Sequence, residues 1–235
     1  MNSAQLTERL RVLPRYEPVR THINEERLYT TPVGAVPSVT TVLSGSRDNS
    51  GLEAWRESVG HERADFISSY ACFRGNGHHE NIERYLTDGT EPEFSFSFTP
   101  YWKSSRAFLD TVDASLLLEG AIWHPDGFAG TLDCIAYLTE DGTQPTLCDW
   151  KTATAIRKPD KVYEYSLQLA AYAAAANYVY GHMGLNITKA KLVIAIADCP
   201  PQIETLDARA LEQLYKHFLA RLKRFTFAKQ KRNKK

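Results

Sequence analysis

"GFAGTLDCIAYLTEDGTQPTLCDWKT" (residues 127–152) is the stretch on which the fold turns. Its two ends are apolar or alternating runs and its middle, "EDGTQP", is turn chemistry, so it reads as two neighbouring antiparallel strands. "LLLEGAIWH" (116–124), closed by "PDG", adds a third strand before them and makes a meander. In that pairing Asp133 and, sixteen residues on, Asp149 with Lys151 converge on one face near the strand ends, because alternate residues of a strand share a side. On an ordinary half-buried strand Asp149 and Lys151 are simply the outward polar face. Two carboxylates and a lysine at one point are a poor structural choice. Like charges resist ionisation unless a cation neutralises them, and converging oxygen donors are what a hard ion such as Mg²⁺ or Mn²⁺ requires.

Working outward, Pro159 or Tyr163 to Tyr180 is an Ala-rich helical stretch ending near Gly181. Gln168 and Tyr172 lie four apart in it, on one face and in apolar company. Read as packing, Gln168 satisfies a backbone group and Tyr172 is core with its hydroxyl at an edge. "AKLVIAIAD" (190–198) has the composition of a strand buried on both faces, and "DARALEQLYKHFLARLKRF" (207–225) is an amphipathic helix. Upstream, Leu52 to about Leu86 is helical in two or three pieces, with breaks expected near Gly60 and at "RGNG" (74–77), and a further helix is expected from Pro100 to Ala114. Residues 1–36, with Pro14, Pro18, Pro32 and Gly34, read as an irregular or partly strand-like lead-in. The expected organisation is one domain over 1–235, with the lead-in at 1–36, a helical part at 37–115, sheet and helices at 116–222, and a basic tail at 223–235.

Composition narrows the classes. The chain has 235 residues, 43% hydrophobic, with 28 basic and 28 acidic side chains. "KRFTFAKQKRNKK" (223–235) holds seven Lys/Arg and no acid, which leaves residues 1–222 with 21 basic against 28 acidic. Such a tail either meets phosphates or is a solvated end. The longest apolar run, Leu167 to Tyr180, is too short to span a bilayer, and the N-terminus carries no apolar signal core. The expectation is a cytoplasmic chain with no secretion or organelle signal, no membrane contact and no obligate protein partner. Cys72, Cys134, Cys148 and Cys199 are scattered without ligand spacing and read as reduced, mostly buried thiols.

The ordered set Gly75-x3-His79-x3-Glu83, Gly130-x2-Asp133, Asp149-x-Lys151-Thr152 and Gln168-x3-Tyr172 resembles the RecB-like branch of the PD-(D/E)XK nuclease superfamily. "PSVTTVL", Trp55, "RGNGHHENIERYL" and "LEG…GFAGTLD…CDWKT" also resemble the mitochondrial genome maintenance exonucleases and their bacterial and phage relatives. The resemblance implies a mixed α/β fold: an αβββαβ restriction-endonuclease-like core with a central mixed sheet flanked by helices, and an N-terminal helical elaboration. It implies Asp133, Asp149 and the Trp150 carbonyl as ligands of Mg²⁺ or Mn²⁺, Lys151 positioning the nucleophilic water, His79 assisting metal or phosphate, and Glu119 as an accessory acid. Gln168 and Tyr172 would lie beside the catalytic strand, with Thr152, Tyr172 and Arg74 as DNA contacts. Trp55, Tyr101 and Trp102 are candidates to stack bases. An iron-sulfur cluster is excluded, since only Cys199 follows the core strands. The expected activity is exonucleolytic cleavage, preferably of single-stranded DNA, in replication, recombination or repair. A structure-specific endonuclease and an inactive nucleic-acid-binding protein are the rivals, the latter disfavoured because every charged motif position is filled.

Overall fold

The strands expected around residues 116–124, 127–138 and 144–152 all form, and they sit in a five-stranded sheet. The computed structural model describes residues 11–23 and 26–232. In it β4 (Val112–His124), β5 (Phe128–Leu138) and β6 (Pro145–Ala153) are an antiparallel meander, turned at Gly127 (φ 94°) and Gly142 (φ 65°), where a left-handed backbone favours glycine. From β6 the chain crosses through α5 (Pro159–Tyr180) and a 3₁₀ turn (Gly181–Met183) to β7 (Ala190–Ile196), which pairs parallel with β6. A parallel neighbour needs such a crossover, and β7, covered on both faces, is buried at every residue. The sheet order is β4-β5-β6-β7-β8, a mixed sheet as expected.

Helices cover both faces. On one, α1 (Val39–Ser46), α5 and α6 (Ala208–Arg232) close a core that includes Val42, Ile135, Leu147, Leu192 and Phe218. On the other, α3 (His61–Asp88) and α4 (Thr99–Leu109) bury Ile82, Trp102 and Phe108 against Cys134, Cys148, Trp150 and Val193. Ser38 caps α1, its hydroxyl accepting the Thr41 N–H.

Several expectations need correction. The break at Gly60 (φ 84°) is real and separates α2 (Ser50–Val59) from α3, but α3 runs unbroken through "RGNG". Tertiary packing outweighs glycine's poor propensity there. A Cβ on Gly77 would lie 2.4 Å from the Phe98 ring, so the glycine is what lets that ring seat on the helix. The helix expected to reach Ala114 ends at Leu109, and Val112–Ala114 already belong to β4. The lead-in is an antiparallel sheet of β1 (Arg20–Ile23), β2 (Glu26–Thr31) and β3 (Gly34–Val36). Before it, Leu13 and Tyr16 bond the backbone of β4 at Leu116 and Ala121 and so cover that edge of the large sheet. β8 (Cys199–Leu206) was not anticipated, because "CPPQIETL" carries two prolines; an edge strand tolerates them. The basic tail continues α6 as helix to Arg232, with Phe225 packed over Gly45 of α1. Residues 1–10 of the lead-in and 233–235 of the tail lie outside the described residues. Of the four thiols only Cys134 and Cys148 are buried; they face each other across β5 and β6, while Cys72 and Cys199 are exposed.

Candidate active site

The ladder between β5 and β6 stops at the Cys134–Cys148 pair, and Asp133 and Asp149 are the next residues along each strand. There the Asp133 carboxylate takes over from the ladder: its Oδ2 accepts the Trp150 N–H at 2.7 Å. Asp149 is buried. Its Oδ1 accepts from Gln168 Nε2 at 3.1 Å, while its Oδ2 pairs with the Lys151 ammonium. Lys151 Nζ also donates to the Trp150 carbonyl at 3.3 Å and lies 5.7 Å from the Tyr165 ring centroid. Two adjacent residues of one strand thus present a carbonyl and an ammonium beside two carboxylates.

α5 delivers Gln168 and, one turn on, Tyr172. The Tyr172 ring crosses β5 at Gly130, where a Cβ would stand 2.5 Å from a ring carbon, so a side chain at Gly130 would expel the tyrosine. That close approach is the physical reason for a glycine three residues before Asp133. Gln168 is nearly buried, and its bond to Asp149 is a side-chain bond rather than the backbone bond that a packing role predicts.

α3 delivers His79 from the other face. Its Nε2 lies 2.9 Å from the Trp150 carbonyl oxygen, to which it donates, and its Nδ1 lies 3.4 Å from Glu119 Oε1 and 3.6 Å from Asp133 Oδ2. His79, Glu119 and Asp133 offer donor atoms all within 4.8 Å of one another. Glu119 sits across from Asp133, between the Leu118–Cys134 and Gly120–Leu132 pairs, with φ 47°; a left-handed glutamate is strained, and the strain falls at the point where its carboxylate joins the cluster. His78, its neighbour in sequence, points away to Ser105, and burial lowers its pKa to about 3. Glu83, the last motif residue of α3, is held at 2.6 Å by Arg15 and lines the same cavity as His79 and Glu119 without joining their donor group.

The electrostatics follow from burial. Asp149 is pushed up to about 6: desolvation outweighs the Lys151 ammonium, and Asp133 adds like-charge repulsion. His79 is moved to about 9, because the attraction of Asp133 and Glu119 exceeds the desolvation that opposes it. Lys151, also penalised by burial, is nonetheless raised by Asp149 and Asp133 and stays charged. A buried carboxylate with a raised pKa, beside a second carboxylate, a backbone carbonyl and an imidazole, suits a divalent cation. The donor set therefore fits the divalent ion that the sequence resemblance implies.

The remaining sequence candidates divide. Arg74 is buried, donates to Thr152 Oγ1 at 3.1 Å and lies over the Tyr101 and Tyr70 rings at 4.8 and 5.9 Å. Tyr101 and Trp102 are core residues, Trp102 bonding Glu91 through Nε1 and meeting Tyr85 edge-on, so neither offers a free face to a base. Trp55, on α2, is half-buried, and nothing joins it to the cluster. The sequence did not indicate Arg20: from β1 it lies over Tyr29 and, with Arg15, Asn76, His79, Glu119 and Thr131, lines a cavity of about 330 Å³. No periodicity in the lead-in could have placed it there; only the path of the chain does.

The sequence profile of the PD-(D/E)XK nuclease superfamily matches residues 49–232. A search of curated proteins gives no significant match. Among solved structures, the chain is similar to SSO0001 at 10% identity, covering 76% of this chain and 74% of that one, with a TM-score of 0.39. It is similar also to a candidate exonuclease from Eubacterium rectale at 14% identity, covering 67% and 66%, with a TM-score of 0.45. Neither likeness is close enough to carry an argument about chemistry.

Proposed function

Since the chain belongs to the PD-(D/E)XK nuclease superfamily, we propose that it is a divalent-metal-dependent deoxyribonuclease acting from strand ends, preferentially on single-stranded DNA, in replication, recombination or repair. The reading rests above all on one observation: Asp133 grips the Trp150 N–H while the Trp150 carbonyl faces His79 and Lys151, so that the backbone of one residue gathers a carboxylate, the lysine and the imidazole, and the lysine in turn pairs with Asp149. Asp133, Asp149 and the Trp150 carbonyl, with Glu119 and His79 at the margin, would hold Mg²⁺ or Mn²⁺. When bound, the ion supplies Lewis acidity at a phosphate oxygen and lowers the pKa of a coordinated water.

The protein's own groups do the rest. Lys151 holds a proton-rich ammonium beside Asp149, where it orients the attacking water and balances charge gathering on the phosphate. Gln168 fixes the rotamer of Asp149, and Tyr172, seated over Gly130, closes that side of the site. Thr152, next along the catalytic strand, and Arg74 of α3, which bonds it, are the contacts for the nucleic-acid backbone.

The test is digestion of 5′-labelled and 3′-labelled linear single strands, with a circular single strand and a blunt duplex alongside, in Mg²⁺, Mn²⁺ and EDTA. Loss of linear strands with the circle intact is expected, and the two labels give polarity. A cut circle replaces the exonuclease with an endonuclease on the same site, and no cleavage in either metal overturns the catalytic reading.

A further inference from the structure

The surface of α3 that leads away from the cluster is unusually aromatic for an exposed helix. Phe66, Tyr70 and Phe73 recur at helical spacing, with Phe66 72% and Phe73 55% exposed. Their rings are neighbours: Phe66 and Tyr70 lie stacked with centroids 6.4 Å apart, Tyr70 and Phe73 are 6.4 Å apart, and Phe73 meets Phe98 at 5.2 Å. The "FSFSF" segment (94–98) continues the array with Phe94 and Phe96, 72% and 90% exposed and in edge contact with each other. Phe73, Phe94 and Phe98 also wall a cavity of about 510 Å³ whose hydrogen-bonding groups include Asn76, Asn81 and Arg84 together with Glu80 and Glu93. Among the described residues nothing covers these rings, and an exposed apolar array of this extent marks a binding surface.

Two features identify the occupant. The array is continuous with the site: Tyr70 lies against the Arg74 guanidinium, and Arg74 bonds Thr152, the residue after Lys151. The array is also one of rings, with Ile67 the exposed aliphatic residue among them. Any base offers a π face to such rings, and a cavity beside them with both donors and acceptors in its wall fits a base edge. We infer that the α3 rings and the 94–98 segment form a stacking track for an unpaired nucleic-acid strand that feeds the Asp133–Asp149 site. The inference rests on the nuclease reading and adds where the strand lies and what holds it.

The track has a length. Phe66 and His79 are thirteen residues apart on one helix, about 20 Å at 1.5 Å per residue. That is about six nucleotides at a stacked spacing of 3.4 Å. Glu80 and Glu93 line the cavity beside the track, so binding along it is driven by stacking and has a shallow salt dependence.

The experiment uses the full chain and oligo-dT strands of 2 to 16 nucleotides, together with abasic strands of equal length and charge. Affinity is read by fluorescence anisotropy without metal, and cleavage with Mg²⁺. The wild type should tighten with length up to about six nucleotides beyond the cleaved bond and bind abasic strands at least tenfold more weakly. The variant F66A/F94A/F96A, altered only at exposed positions, should lose that tenfold on long strands through KM, with kcat and dinucleotide cleavage unchanged. Equal affinity of wild type and variant at every length, or of dT and abasic strands, overturns the track and leaves the rings to a protein partner. Absence of cleavage with length-dependent, base-dependent binding intact would fail the nuclease reading and keep the track.

Discussion

At the scale of single residues, the Trp150 backbone is the pivot, because its N–H and C=O tie together groups from three elements. Lys151→Ala should lower kcat by at least about 100-fold, the size of loss seen when one positioned electrostatic group is removed, and leave DNA affinity in place. Normal turnover would remove the lysine from the chemistry. Asp133→Asn keeps an oxygen to accept the Trp150 N–H and removes the charge, so calorimetry with Mn²⁺ should read weaker binding in a protein that still melts near the wild-type temperature.

The residue scale also sets the pH dependence. His79, raised to about 9 in the metal-free fold, contributes stability that is complete below its ordinary 6.5 and is lost as pH rises through 9. Asp149, raised to about 6 mainly by burial, acts in the same direction at lower pH: its contribution is complete below its ordinary 3.8 and is lost as pH rises through 6. Metal-free protein should therefore melt at progressively lower temperature from pH 6.5 to 9, and His79→Gln should flatten that slope. A wild-type profile flat over this range would contradict the charged histidine.

At the scale of elements, α3 shows what a sequence states and what it withholds. The alternation of β4 to β6, the turn residues between them and the apolar run of β7 are local signals, and they were read correctly. Asp133, Asp149 and Lys151 could be brought together from strand parity alone, and Gln168 with Tyr172 from helical spacing. The continuity of α3 through Arg74–Gly77 was hidden, because it depends on Phe98, a residue twenty-one positions on. Two glycines there make opposite predictions. Gly75 has nothing within 4 Å of an added Cβ, so Gly75→Ala should stabilise by about 1 kcal/mol through helix propensity. Gly77→Ala drives a methyl into the Phe98 ring and should cost about 1–3 kcal/mol. Thermal melts of the two variants should move in opposite directions. Tyr101 and Trp102 were misread for a related reason: helical spacing gives the face of α4, but not which face the sheet will cover.

At the scale of the whole molecule, the family match begins at residue 49, while the chain before it runs along the outer edge of β4 and then forms its own three-stranded sheet. Leu13 and Tyr16 bond the β4 backbone, Tyr180 Oη donates to the Pro14 carbonyl, and Arg15 reaches Glu83 of α3. This part of the molecule was the least legible in the sequence, since an edge cover depends on the edge it meets rather than on a period of its own. Removing residues 1–18 should expose unpaired β4 backbone groups and lower the temperature at which light scattering reports aggregation. An unchanged onset would mean that β4 is protected by other means.

The two buried cysteines give the molecule a built-in clock. Cys134 and Cys148 face each other beside Asp133 and Asp149, and burial raises both thiols well above their usual range, so neither is a thiolate at neutral pH. A thiol reagent should therefore modify Cys72 and Cys199 at once and the other two only when β5 and β6 part. The rate of that second phase counts openings of the very strands that hold the carboxylates, and a cation bound between them should slow it.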